Sequence, residues 1–79
     1  MEYNSDKVDD AALALLYLTS STDRYGTRAW RGIDSETMNR LHQKGYIGDP
    51  GMKGPTLTLT EAGAKRSKVL FFRLFDARE

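Results

Sequence analysis

The chain has no cysteine, one histidine, one tryptophan and two prolines in 79 residues. Without cysteine no disulfide staples the fold, and no thiolate can serve as nucleophile or zinc ligand. A single imidazole, His42, excludes a histidine-rich metal site and leaves any triad dependent on one residue. No apolar run approaches the roughly 20 residues needed to cross a bilayer. The longest, residues 11–18, is far too short. No secretory leader is expected, because Met1 is followed by the acids Glu2, Asp6, Asp9 and Asp10. Charge of one sign is missing as well: 12 Lys and Arg face 11 Asp and Glu, for a net charge of +1. Dedicated nucleic-acid binders are usually more basic. These absences predict a cytoplasmic, non-enzymatic protein with no cofactor, no metal and no membrane contact.

What is present suffices for one packed domain over 1–79. Hydrophobic residues make up 39% and charged residues 29%, which excludes wholesale disorder. A core of this size lies near the lower edge of independent stability, where oligomerisation often helps.

The first predicted helix spans 5–19, with Ser5 or Asp6 as cap and Asp9 and Asp10 in the first turn. Its stretch 11–18 is apolar nearly all round, which predicts a central helix covered on several sides. Residues 20–26 read as a loop, and 28–31 as a short extended segment. The second helix spans 35–44. Asp34 is its N-cap, Ile33 and Met38 have hydrophobic-staple spacing, and Gly45 ends it in a Schellman motif with Tyr46 against Leu41. Residues 46–59 read as a hairpin whose arms are Tyr46-Ile47-Gly48 and Thr56-Leu57-Thr58-Leu59. Thr60 caps a last helix over 61–76. Gly63 opens that helix at a cost of about 1 kcal/mol relative to Ala, which close packing of helix on hairpin would justify. The predicted core is Val8, Ala12, Leu15, Leu16, Trp30, Met38, Leu41, Ile47, Leu57, Leu59, Leu70 and Leu74.

The order helix, extended segment, helix, glycine-rich hairpin, helix resembles a winged-helix domain. Leu41-His42-Gln43-Lys44-Gly45-Tyr46-Ile47 and Leu57-Thr58-Leu59-Thr60-Glu61-Ala62-Gly63 carry the resemblance. They look like the L-x-x-x-G-h-I and L-T-x-x-G patterns of many bacterial winged-helix regulators. The whole chain, including Lys7-Val8-Asp9-Asp10 and Arg28-Ala29-Trp30, is also similar to a family of small uncharacterised bacterial proteins. The winged-helix likeness implies an α+β fold with three helices, a small antiparallel β-hairpin and a third short strand. It departs from that pattern at 19–33, where the helix that crosses the DNA backbone is missing or reduced to a turn.

Two functions follow from this reading. In the first, the resemblance implies that helix 35–44 enters the major groove of double-stranded DNA. Asn39, Arg40 and Gln43 then reach base edges, while Lys44, Lys53 and either Arg28 or Arg31 touch phosphates. The charge supports this: residues 1–23 carry net −4 and residues 24–79 net +5. The same residues also read as an ordinary solvated helix face, with Glu36 and Arg40 forming an i,i+4 pair. In the second, the scaffold is a protein-interaction module. Its last helix puts Gly63, Ser67, Leu70 and Leu74 on one stripe, extended by Phe71. Ala62, Val69 and Phe72, with the stems of Lys65 and Arg73, form a different face that suits a homodimer. The glycines of 48–54 read as a wing loop, because Lys53 precedes Gly54 and Pro55 follows, against the order a phosphate loop needs. His42 reads as a half-buried structural residue. Trp30, with Tyr25 and Arg28, fits a stacking platform for single strands less well than it fits a core.

Overall fold

The computed structural model describes residues 2–51 and 54–76. The elements in chain order are α1 (Ser5–Thr19), β1 (Ser21–Asp23), β2 (Gly26–Trp30), α2 (Ser35–Gln43), β3 (Thr56–Leu59) and α3 (Glu61–Phe75). Three helices accompany a three-stranded antiparallel sheet of order β1-β2-β3. This α+β arrangement is consistent with a winged-helix-like fold.

The helix boundaries follow from their caps. Asn4, not Ser5 or Asp6, caps α1: its side chain accepts from Lys7 N–H at 3.1 Å. Asp34 caps α2 by accepting from Thr37 N–H at 3.2 Å. Hydrogen bonds from the Thr37 side chain and backbone hold the Asp34 carboxyl below its ordinary value. The Schellman motif forms as predicted. Gly45 takes φ +82° and donates to His42 O, and Tyr46 donates to Leu41 O, both at 3.0 Å.

At the next junction Thr60 ties three segments together. Its hydroxyl donates to Gly45 O at 2.6 Å and accepts from Gly63 N–H at 2.9 Å, while its own N–H donates to Tyr46 O at 3.0 Å. Gly63 is buried here, and a Cβ on it would lie 1.8 Å from Tyr46 O. The close approach predicted for this glycine is therefore the contact of α3 with the 45–46 turn.

The sheet differs from the predicted hairpin. Residues 21–23, read as loop, form edge strand β1, which a turn at Arg24-Tyr25 joins to β2. Asp23 accepts from Tyr25 N–H at 2.7 Å in an Asx turn, and Gly26 follows at φ +123°. The predicted arm Tyr46-Ile47-Gly48 contributes only the bridge Ile47 to Leu59 and the bond from Gly48 N–H to Thr58 O. β3 instead pairs with β2 over four residues.

The helices cover one face of the sheet. Ala29, Leu57 and Leu59 point into a core with Leu13, Ala14, Leu16, Met38, Leu41, Ile47 and Leu70. Three expected core residues lie outside it: Leu15, Trp30 and Leu74 are 49%, 61% and 50% exposed. Trp30 follows the inward Ala29 on β2, so period-two alternation turns it out. Leu15 lies at the rim of the core, on an open groove beside Trp30 and Ile33, and Leu74 lies in the last turn of α3. Val8 and Ala12 are partly buried.

Candidate functional site

Aspartate at position 9 repeats with Leu13 and Leu16 at helical spacing, so α1 carries a carboxylate on its buried stripe. Asp9 is 1% exposed. Arg40 Nε donates to its two oxygens at 2.8 and 3.0 Å, and Lys44 Nζ donates at 2.9 Å. Lys44 also reaches Asp6 at 3.0 Å, and Arg40 reaches Thr37 Oγ1 at 3.2 Å and Glu36 at 3.4 Å. Arg40 and Lys44 are one turn apart on α2, so both cations meet the same carboxylate. The hydrogen bond to Asp9 is the largest cause that raises both pKa values above ordinary, with Asp6 second for Lys44. Sequence reasoning placed Arg40 on the solvent side of its helix. The structure turns it toward α1, because a buried carboxylate must be paired. The readable signal was an acid inside an apolar stripe together with two cations at i,i+4.

The other residues considered for DNA contact lie apart. Asn39 and Gln43 are exposed on α2. Arg28 is exposed and donates to Asp23 at 3.2 Å. Arg31 is partly buried, and its guanidinium donates to Pro50 O. Arg28 and Arg31 border an open groove of about 430 Å³ on the uncovered face of the sheet, with Gly48, Asp49, Thr56 and Thr58. Lys53 lies outside the described residues. The acidic first third thus meets the basic remainder in pairs: Asp6 and Asp9 bind α2, and Asp23 binds Arg28.

Two apolar surfaces remain. On α3 the face opposite Gly63, Ser67 and Leu70 carries Ala62, Lys65, Val69, Phe72 and Arg73, all exposed. Val69 is 48% and Phe72 49% exposed, and Lys65 pairs only locally with Glu61 at 3.3 Å. α1 reaches the margin of this face through Tyr17. Its ring centroid lies 5.2 Å from Phe71 and 5.8 Å from Phe72, and Phe71 also meets Phe75 at 5.4 Å. The second surface is a shallow groove of about 200 Å³ where Trp30 lies over Gly32 beside Leu15 and Ile33.

His42 is exposed, not half-buried, and its Nδ1 donates to Ile47 O at 3.2 Å. Among the described residues no three His, Cys, Asp or Glu side chains converge as a metal site, and no helix is long and apolar enough to cross a membrane.

Comparison with known proteins supplies the family. The profile of the Domain of unknown function (DUF6429) matches residues 4–77, nearly the whole chain. The chain belongs to the DUF6429 family. The uncharacterised protein y4hR of Sinorhizobium fredii (strain NBRC 101917 / NGR234) is 51% identical to this DUF6429 chain over 75 residues. That alignment covers 95% of this chain and 97% of the relative. No solved structure matches the chain. Membership in the DUF6429 family therefore brings no activity, and function must be argued from the surfaces.

Proposed function

We propose that this DUF6429 domain is a protein-interaction module whose working surface is apolar. One observation carries the reading. Among the described residues, nine large apolar side chains are about half exposed or more, against ten apolar residues in the buried core. Scattered exposed leucines are ordinary, but the exposed residues of α3 adjoin one another and the Tyr17 cluster, and contiguous patches mark interaction sites. The cations tell the same story from the other side. Arg40 and Lys44, the strongest candidates for phosphate and base contact on α2, hold Asp9 and Asp6.

A second reading, a winged-helix DNA-binding regulator, is favoured by the exposed Asn39 and Gln43 and by Arg28 and Arg31 beside an open groove. The proposal carries no catalytic step and a cytoplasmic location; His42, the one imidazole, gives its Nδ1 to a backbone carbonyl.

Fluorescence anisotropy of a labelled random duplex separates the two. The interaction reading expects no binding at low salt up to high protein concentration. Binding that weakens with a log–log slope near −0.9 per neutralised phosphate would reverse the choice.

A further inference from the structure

We infer that the uncovered face of the sheet binds single-stranded nucleic acid, with Trp30 stacking on a base and Arg28 and Arg31 meeting backbone phosphates. This role goes beyond the interaction reading, which concerns α3 on the other side of the sheet.

Residues 24–31, Arg-Tyr-Gly-Thr-Arg-Ala-Trp-Arg, hold three arginines, two aromatics and no acid. They make the turn before β2, β2 itself and the residue after it. The sequence predicts Trp30 in the core, yet it is 61% exposed, and Tyr25 at the turn is 79% exposed. Each adjoins an arginine in the chain, and Arg24 lies over the Tyr25 ring at 5.1 Å. Aromatic rings left in water among cations are the parts from which stacking platforms for single strands are built.

Strand register brings these parts to one face. Ala29 points inward, so Arg28 and Trp30 point outward, roughly 7 Å apart along the strand. Their partners on β3 are Thr58 and Thr56, and Arg28 faces Ser21 on β1. These short hydroxyl side chains leave room beside the arginines, in the groove of about 430 Å³ that Arg28, Arg31, Thr56 and Thr58 border. Trp30 stands at the margin of this face. Its ring is seated on Gly32, where a Cβ would lie 2.0 Å from the indole. The backbone beneath is tied down by the bond from Trp30 N–H to Thr19 Oγ1 at 3.0 Å. The ring is thus in place before a ligand arrives, and binding orders little.

The charges suit a polyanion. Asp23 and Asp49 border the same face, and both are engaged. Asp23 bridges Arg28 at 3.2 Å and accepts from Tyr25 N–H, and Asp49 accepts from Gly51 N–H at 2.8 Å. Arg28 and Asp23 are each about half exposed, and an ion pair so open to water yields readily to a phosphate. Three arginines stand against these two acids. The aromatic decides between single strand and duplex, because a base offers its face to a side chain only when it is unpaired and unstacked.

Trp30 is the only tryptophan, so its fluorescence reports the contact directly. The full chain at low salt is titrated with oligo(U), oligo(dT) and a random duplex, each about 15 nucleotides long. A base on Trp30 quenches its emission, with a Kd on the order of 1–100 µM for a single strand. The stronger of the two single-strand arms names the sugar, and duplex binds at least tenfold more weakly. Salt weakens binding with a log–log slope near −2, at about −0.7 per phosphate for three arginines. Anisotropy of the labelled strand shows a loss of roughly 5- to 100-fold for Trp30→Ala and a smaller loss for Trp30→Phe. Arg28→Gln makes the salt slope shallower by about 0.7. If circular dichroism shows Trp30→Ala unfolded, Trp30→Phe and the wild-type quench decide. No single-strand binding at several hundred micromolar protein overturns the inference, as does binding that leaves Trp30 emission unchanged. Either result leaves the interaction reading standing, whereas duplex bound as tightly as single strand sinks both.

Discussion

At the scale of single residues, Gly63 and Asp9 carry opposite lessons about what a sequence displays. Gly63 was legible because a glycine at the start of a helix costs stability that only a close approach justifies. The approach is the Tyr46 carbonyl, 1.8 Å from where a Cβ would stand. Backbone cannot swing aside as a side chain can, so Gly63→Ala must separate α3 from the 45–46 turn. We expect it to cost about 4 kcal/mol or more in urea denaturation, at the upper end for single substitutions. An unchanged midpoint would show that the junction is loose. Asp9 was misread as a first-turn acid serving the helix dipole. Its spacing from Leu13 and Leu16 places it on the buried stripe, but a carboxylate is legible there only once its counter-ions are known. These came from Arg40 and Lys44, 31 and 35 residues away in sequence. No local pattern joins them.

At the scale of elements, helices were legible and the sheet only in part. Asp34, Gly45 and Thr60 mark helix ends by chemistry that acts within a few residues, so those ends fall where capping predicts. β1 gave no signal because Ser21, Thr22 and Asp23 are all exposed, and an unburied strand has no hydrophobic alternation to read. Main-chain pairing with β2 and the 2.8 Å bond between the Thr22 and Thr27 hydroxyls hold it. Tyr46-Ile47-Gly48 shrank to a bridge while β2 took the long pairing with β3, a choice set by tertiary contacts. The contact of α1 with α2 has a pH signature. Lys44 has its pKa raised above the ordinary 10.5, first by Asp9 and then by Asp6. A raised value means that the folded state binds the proton more tightly. The contribution is therefore fully present below about pH 10.5 and is lost as pH rises through the raised value. Urea denaturation of wild type and Lys44→Met, compared from pH 8 to 12, should show the wild-type advantage shrinking only above about 10.5. An advantage that stays constant through pH 12 would contradict the ion pairing.

At the scale of the whole molecule, the all-round apolar stretch of α1 predicted a central, covered helix, and the last helix was read as one stripe for the core and a second apolar face suited to a homodimer. The structure covers only part of each, because three short helices on one face of a three-stranded sheet cannot enclose two apolar rods. Leu15, Leu18, Val69, Phe72 and Phe75 stay in water for that reason. The charge asymmetry along the chain, which sequence alone connects with DNA, becomes internal ion pairing between α1 and α2. What is left on the outside includes a set of half-exposed apolar side chains, the surface on which the proposed interaction role rests. The absence of cysteine allows a direct test, since one introduced thiol is the only site a nitroxide label can take. Spin-labelled Glu61→Cys chain without isotope is mixed with unlabelled, nitrogen-15-enriched wild type, so that any broadening of amide signals passes between molecules. Contact through the exposed apolar face of α3 brings the label on one copy beside that face of the other. The account predicts strong broadening at Val69 and Phe72, with α2 and the uncovered face of the sheet unaffected. Broadening confined to Leu15, Trp30 and Ile33, or none at millimolar concentration, would contradict it.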